Sequence, residues 1–204
     1  LNALAQVLLK MTCPGVPDFY QGTELWDFSL VDPDNRRPVD YGRRQRLLGE
    51  LAARLGDGPT PELARELVAA LPDGRIKLYV TWQALRCRRE RPELFTAGEY
   101  LPADAAGSRR ENVCAFVRRH GKDAAVVAVP RLVAGLLEGR EGAPVGEAVW
   151  ADTALLLPGV RPGGQLRNIF TGEVLTPNEQ NGQASLPLAQ ALGAFPVALL
   201  LAQD

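Results

Sequence analysis

Asp32, Asp34, Asn35, Arg36, Arg37 and Asp40 crowd into one short stretch of the chain. Carboxylates and guanidinium groups at this spacing can close forked bonds with one another, or hold planar hydrogen-bonding groups out to a polar ligand. Just upstream, Tyr20, Gln21 and Glu24 add a phenol, an amide and a further carboxylate. Such a loop needs a scaffold. A Pro14-Gly15 turn opens the region, the apolar run Val16 to Tyr20 follows, and Gln21-Gly22-Thr23-Glu24 breaks it. Prolines in and beside the run disfavour a long helix, so a short buried strand running into a charged loop is expected. Within the loop, Asp32-Pro33-Asp34-Asn35 suits a type I turn with Pro33 at its second position.

These residues also carry a resemblance. PGVPDFYQGTEL is similar to the last barrel strand of the α-amylase family, whose pattern there is roughly G-x-P-x-x-Y-x-G-x-E. The continuation WDFSLVDPDNRRPVDY resembles one narrow branch of that family. Nothing in strand or loop physics requires DPDNRRPVD. Further on, YVTWQALRCRRERPELFTAGEY looks like the family's final barrel helix, and WADTALLLP and RNIFTGEVL resemble the same branch. The resemblance implies an α+β fragment: residues 1–95 would be the last strand, active-site loop and terminal helices of a (β/α)8 barrel, and residues 96–204 an antiparallel β-sandwich. It implies an intramolecular transglycosylation that turns the reducing-end α-1,4 link of a maltooligosaccharide into an α-1,1 link, with no cofactor and no metal, in the cytoplasm. Loops at the carboxyl ends of barrel strands carry active sites.

Retaining glycoside chemistry uses two carboxylates about 5–5.5 Å apart. In the α-amylase family these sit on barrel strands four and five, with a third carboxylate on strand seven, and none of those strands is expected here. Glu24, Asp32 and Asp34 are therefore not assigned the covalent step, and no catalytic residue is expected. The resemblance marks Tyr20, Gln21, Glu24, Asp34, Asn35, Arg36 and Arg37 as substrate-binding. For Arg36 and Arg37 the alternative is ion pairing inside the loop with Asp32, Asp34 or Asp40; for Glu24 it is a scaffold role. Trp26 and Phe28 are read as packing rather than sugar platforms, Trp82 as core, and Trp150 as packed between sheets. His120 is expected to be exposed in a turn, and Arg86, Arg88, Arg89 and Arg91 to be a solvated helix face answered by Glu90 and Glu93. Gly163-Gly164 has no phosphate-binding context.

The chain has 204 residues, a formal net charge of -1 and 46% hydrophobic residues, which suits one or two ordinary cores. Near-neutral charge argues against a nucleic-acid partner, and no apolar run reaches the roughly 18 residues of a membrane span. Cys13, Cys87 and Cys114 form no C-x-x-C and read as reduced thiols; with His120 the only histidine, a metal site is not expected. Rival functions are another α-amylase-family hydrolase or glucosyltransferase, and a non-catalytic β-sandwich module that binds polysaccharide or merely stabilises a neighbour.

The elements that must position the loop follow in order. Leu1, Leu4, Leu8 and Met11 share one face of an uncapped helix at residues 1–10, expected to be cut from a longer polypeptide. Asp40 caps a helix over 41–55, Thr60 caps a third with Pro61 at its first position, and a fourth runs over 76–90. Strands are expected at 113–119, 124–129, 147–157, 166–170, 184–186 and 196–201, with His120 to Asp123 a hairpin turn and 132–137 a helical turn or loop. A barrel strand without its neighbours, and the face of Leu4, Leu8 and Met11, would seek either the missing amino-terminal barrel portion or another copy of the fragment.

Overall fold

In the computed structural model, which describes residues 1–203, five helices precede two antiparallel sheets. The helices are α1 (Asn2–Thr12), α2 (Tyr41–Leu55), α3 (Pro61–Ala69), α4 (Arg75–Glu90) and α5 (Pro92–Thr96). Local chemistry sets their starts. The Asp40 carboxylate accepts from the Arg43 N–H at 2.8 Å, and the Thr60 hydroxyl from Leu63 N–H at 3.3 Å with Pro61 behind it.

Strands β1 (Glu99–Pro102), β2 (Asp104–Ala106), β3 (Val113–His120) and β4 (Asp123–Pro130) follow. After them come α6 (Val133–Leu137), α7 (Glu147–Trp150), β5 (Ala154–Leu157), β6 (Leu166–Asn168), β7 (Val174–Leu175), β8 (Asn178–Gln180), β9 (Gln183–Pro187), α8 (Leu188–Ala191) and β10 (Ala198–Ala202). One sheet has the order β1-β3-β4-β10-β6-β7, the other β2-β5-β9-β8. The β3–β4 hairpin closes on His120 opposite Asp123, as expected for its Gly121-containing turn.

Strand β4 explains how the pieces stack. Ala125, Val127 and Val129 join α1, α4 and α5 in one buried cluster, while Ala124, Val126 and Ala128 join Leu155, Leu157 and Leu186 of the second sheet in another. A strand covered on both faces reads as an unbroken apolar run, as this one does. Trp150 lies in the cluster between the sheets, with its indole N–H donating to Pro144 O at 2.9 Å.

Four expectations need correction. Val16 to Tyr20 is not a strand: it carries no regular secondary structure, and Val16 is 94% exposed. None of the described strands pairs with it, and a segment becomes a strand only by pairing. Leu4, Leu8 and Met11 are fully buried, because α4 and β4 cover them, so that face offers no docking surface. Within 147–157 only Ala154–Leu157 is strand; Glu147–Trp150 is a helical turn that lets Trp150 reach the core. In the loop, Asp34 N–H donates to Val31 O at 3.1 Å across a cis Asp32–Pro33 bond, which puts Pro33 at the third turn position, not the second.

Nothing in the sequence marks Arg118. It is 1% exposed on the helix-facing side of β3. Its guanidinium donates to Thr12 O at 3.0 Å, Phe95 O at 3.1 Å, Gly98 O at 2.7 Å and Glu99 O at 3.2 Å. Those carbonyls lie at or beside the carboxyl ends of α1 and α5, where unpaired C=O groups concentrate negative potential.

Burial pushes the Tyr79 phenol and the Cys87 thiol up to about 12 each, from ordinary values of 10.0 and 9.0. Tyr79 donates to Phe170 O at 2.9 Å and packs with Phe170 and Phe195. Both groups keep protons in the fold that the unfolded chain releases. Their contribution is therefore full below pH 9 and falls as pH rises from about 9 to about 12. Urea titrations at stepped pH should show stability declining over that window, and Cys87→Ala should flatten the decline. A pH-independent midpoint between 9 and 12 would refute this.

Candidate functional site

The candidate residues occupy the segment between α1 and α2, where little regular structure forms beyond one 3-10 turn at Asp34–Arg36. Its two ends are held differently. After Glu24 the chain dips inward: Leu25 is buried and its carbonyl accepts from Lys77 Nζ at 3.1 Å. The Trp26 indole donates to Leu71 O at 2.8 Å. Burial lowers the Lys77 ammonium pKa, and the Ser29 hydroxyl and N–H donating to Asp27 hold that carboxyl below the usual range. The chain then leaves the body, with Phe28 88%, Leu30 77% and Val31 83% exposed. Trp26 therefore packs as expected and Phe28 does not.

At the tip, Arg36 pairs with Asp32 and Arg37 with Asp34. The loop-internal pairing weighed for both arginines is present. Asp34 also accepts from Leu30 N–H at 2.8 Å, so one carboxylate braces both sides of the turn. The guanidinium side chains remain 70% and 77% exposed. Ion pairs in that much water contribute roughly 0–1 kcal/mol. Asn35 Oδ1 is buried without a hydrogen-bond partner among the described residues, an uncommon state for a buried acceptor.

Tyr20 is 45% exposed and Gln21 is exposed. Glu24 turns inward to Arg44, whose Nε lies 2.8 Å from Glu24 Oε2. The same guanidinium donates to the Gly22 carbonyl and, at 3.1 Å, to Asp40 O. Arg44 was missed because nothing in a run of arginines marks the one that folds back by twenty residues. The structure thus groups Asp32, Asp34, Arg36 and Arg37 at the tip and Glu24 at the base, with Tyr20 and Gln21 on the open side.

The basic helix face is less solvated than expected. Arg86 does pair with Glu90 at 2.9 Å. Arg88 instead donates to Met11 O at 2.9 Å and Gly15 O at 2.7 Å, and Arg91 pairs with Asp123 at 3.0 Å, so both tie α4 to its neighbours. His120 is half exposed beside Glu93. Among the described residues no group of three or more His, Cys, Asp or Glu could hold a metal, and no helix is long and apolar enough to cross a membrane.

This arrangement of helices and antiparallel sheets is shared with α-amylase-type enzymes. An Anoxybacillus α-amylase superposes on 99% of the chain with a TM-score of 0.57 at 16% identity, which is likeness of fold alone. The specific relationship is to maltooligosyltrehalose synthase. The solved Arthrobacter ramosus maltooligosyltrehalose synthase matches 98% of this chain with a TM-score of 0.71 and 37% identity, covering 22% of that enzyme. A Mycobacterium tuberculosis H37Rv protein named "Putative maltooligosyl trehalose synthase" is 41% identical over 200 residues, which is 98% of this chain and 20% of the relative. The chain therefore spans about a fifth of the length of the curated relatives it matches. No protein-family model matches it.

Proposed function

We propose that this chain is the carboxyl-terminal part of an enzyme that converts the reducing-end α-1,4 link of maltooligosaccharides into an α-1,1 link by intramolecular transglycosylation. The observation that carries the proposal is identity of 41% to a synthase relative across nearly the whole chain, loop and sheets together. In this reading residues 1–95 complete a catalytic barrel and residues 96–204 form its carboxyl-terminal β-sandwich. The segment Val16 to Tyr20 becomes the last barrel strand once neighbouring strands from the rest of the polypeptide pair with it. The same remainder covers Val16, Phe28, Leu30 and Val31. The catalytic carboxylates lie there too, and the reaction needs no cofactor. The setting is cytoplasmic.

The contribution of this chain is to hold substrate. Tyr20 and Gln21 present a ring and an amide. Asn35 offers an acceptor in need of a donor. Arg36 and Arg37 can exchange weak, wet ion pairs for sugar hydroxyls at little cost. Asp34 and Glu24 act from behind, as braces of the tip and the base.

Maltopentaose supplies the test. A full-length synthase carrying this chain should consume reducing ends without releasing equivalent glucose, giving a trehalose-ended product. The 204-residue chain alone should do neither, since it lacks the carboxylate pair. Product from the isolated chain, or simple hydrolysis by the full-length enzyme, would overturn the proposal.

A further inference from the structure

We infer that Arg44 is the positioning residue of the substrate loop, acting by locking the loop's two ends together rather than by touching substrate. The inference deepens the function proposed above and rests on it for the loop's role in substrate binding.

Three bonds from one guanidinium carry the case. Arg44 sits in the first turn of α2, whose start is itself fixed by the Asp40 cap. From there Nε reaches the Glu24 carboxylate at 2.8 Å, Nη2 the Gly22 carbonyl, and Nη1 the Asp40 carbonyl at 3.1 Å. Gly22 and Glu24 lie where the chain enters the loop and Asp40 where it leaves. Among the described residues, Arg44 is thus the one side chain bonded to both ends. Its side chain is 17% exposed and that of Glu24 29%, so this pair is screened far less than the two at the tip.

The space around the site is built for it. Gly22 has φ +86, and a Cβ there would meet Val39 Cγ2 at 3.0 Å and Arg44 Nη2 at 3.6 Å. Only glycine lets the incoming chain pass this close to the outgoing one while offering its carbonyl to the guanidinium. Leu25 and Trp26 are anchored separately, by Lys77 and by the Leu71 carbonyl, and neither of those bonds reaches the outgoing end of the loop. Phe28, Leu30 and Val31 are exposed, and the tip is stitched only to itself. Tyr20 and Gln21 immediately precede the locked segment, and Arg36 and Arg37 hang between its ends. A lysine could pair with Glu24 but not reach all three acceptors, since its ammonium is a single point and lacks the fork.

Hydrogen exchange of the chain, read by mass spectrometry, tests the lock without any activity. In Arg44→Ala, amides of the segment 20–41 should exchange at least about tenfold faster, while those of α4 and β4 stay within about twofold of the parent. Arg44→Lys should fall between the two. In the full-length synthase, Arg44→Ala should lower kcat/KM on the order of 100-fold, as expected when binding groups are misplaced by about 1 Å. Added guanidinium ion should restore part of that loss in Arg44→Ala but none in Glu24→Gln. Unchanged exchange in the loop overturns the inference whatever the turnover. So does faster loop exchange with full turnover. Exchange rising equally in α4 and β4 also overturns it, by showing a general loss of stability. Absence of trehalose-ended product from the unsubstituted synthase would sink the proposed function but leave the exchange test of the lock standing.

Discussion

Replacing Arg118 by leucine is expected to destabilise the chain by about 3 kcal/mol or more. The guanidinium donates to four carbonyls and its side chain is almost wholly enclosed. Leucine roughly preserves the apolar stem and deletes every donor. The cost is then set less by the bonds lost than by what stays behind: carbonyls at or near the ends of α1 and α5 without their donor, those of Thr12 and Phe95 in buried bonds. A buried group left unsatisfied costs roughly 1–3 kcal/mol, and two are created at once. Arg118→Lys should recover only part, since an ammonium reaches fewer of four divergent oxygens than a planar fork does. Chemical denaturation with both variants measures this. A loss under about 1 kcal/mol for leucine would mean that the carbonyls find other donors and that Arg118 is incidental.

The second large effect concerns turnover. In a full-length synthase carrying this chain, Arg36→Ala and Arg37→Ala should each lower kcat/KM on the order of 100-fold. Arg89→Ala should leave it unchanged. The exposed pairs with Asp32 and Asp34 contribute too little to stability for either change to unfold the protein, so thermal midpoints should stay within a degree or two of the parent. The helix control must be Arg89. Arg88 bonds the carbonyls of Met11 and Gly15, and removing it would loosen the segment that leads into the loop. Equal turnover in all three variants would show that the tip does not meet substrate. A large fall in midpoint for the tip variants would show that the pairing is structural after all.

The sequence by itself determined what nearest neighbours decide. Asp40 and Thr60 start helices because a side-chain oxygen three residues upstream meets an orphan N–H, a contact needing no distant partner. The β3–β4 hairpin follows from a two-residue turn containing Gly121, and the helix at α4 from Ile76, Tyr79, Val80, Ala84 and Cys87 falling on one face. The pairing of Arg36 and Arg37 inside their own loop was legible for the same reason, since each partner lies three or four residues away. Tertiary structure decided the rest. Val16 to Tyr20 has strand composition, yet a strand exists only where another chain segment offers a ladder, and none of the described strands does. Trp26 and Phe28 both read as packing residues in the sequence, but the fold packs only Trp26 on the body, its indole N–H donating to Leu71 O 45 positions away, and leaves Phe28 88% exposed. Arg44 and Arg118 are indistinguishable from the other arginines until the fold brings their acceptors within reach. Glu24 is twenty residues from Arg44, and Thr12 is 106 from Arg118. Side-chain charge is written in the sequence, but the partner that gives it a role is chosen by packing, because a hydrogen bond acts over about 3 Å of space however many residues intervene.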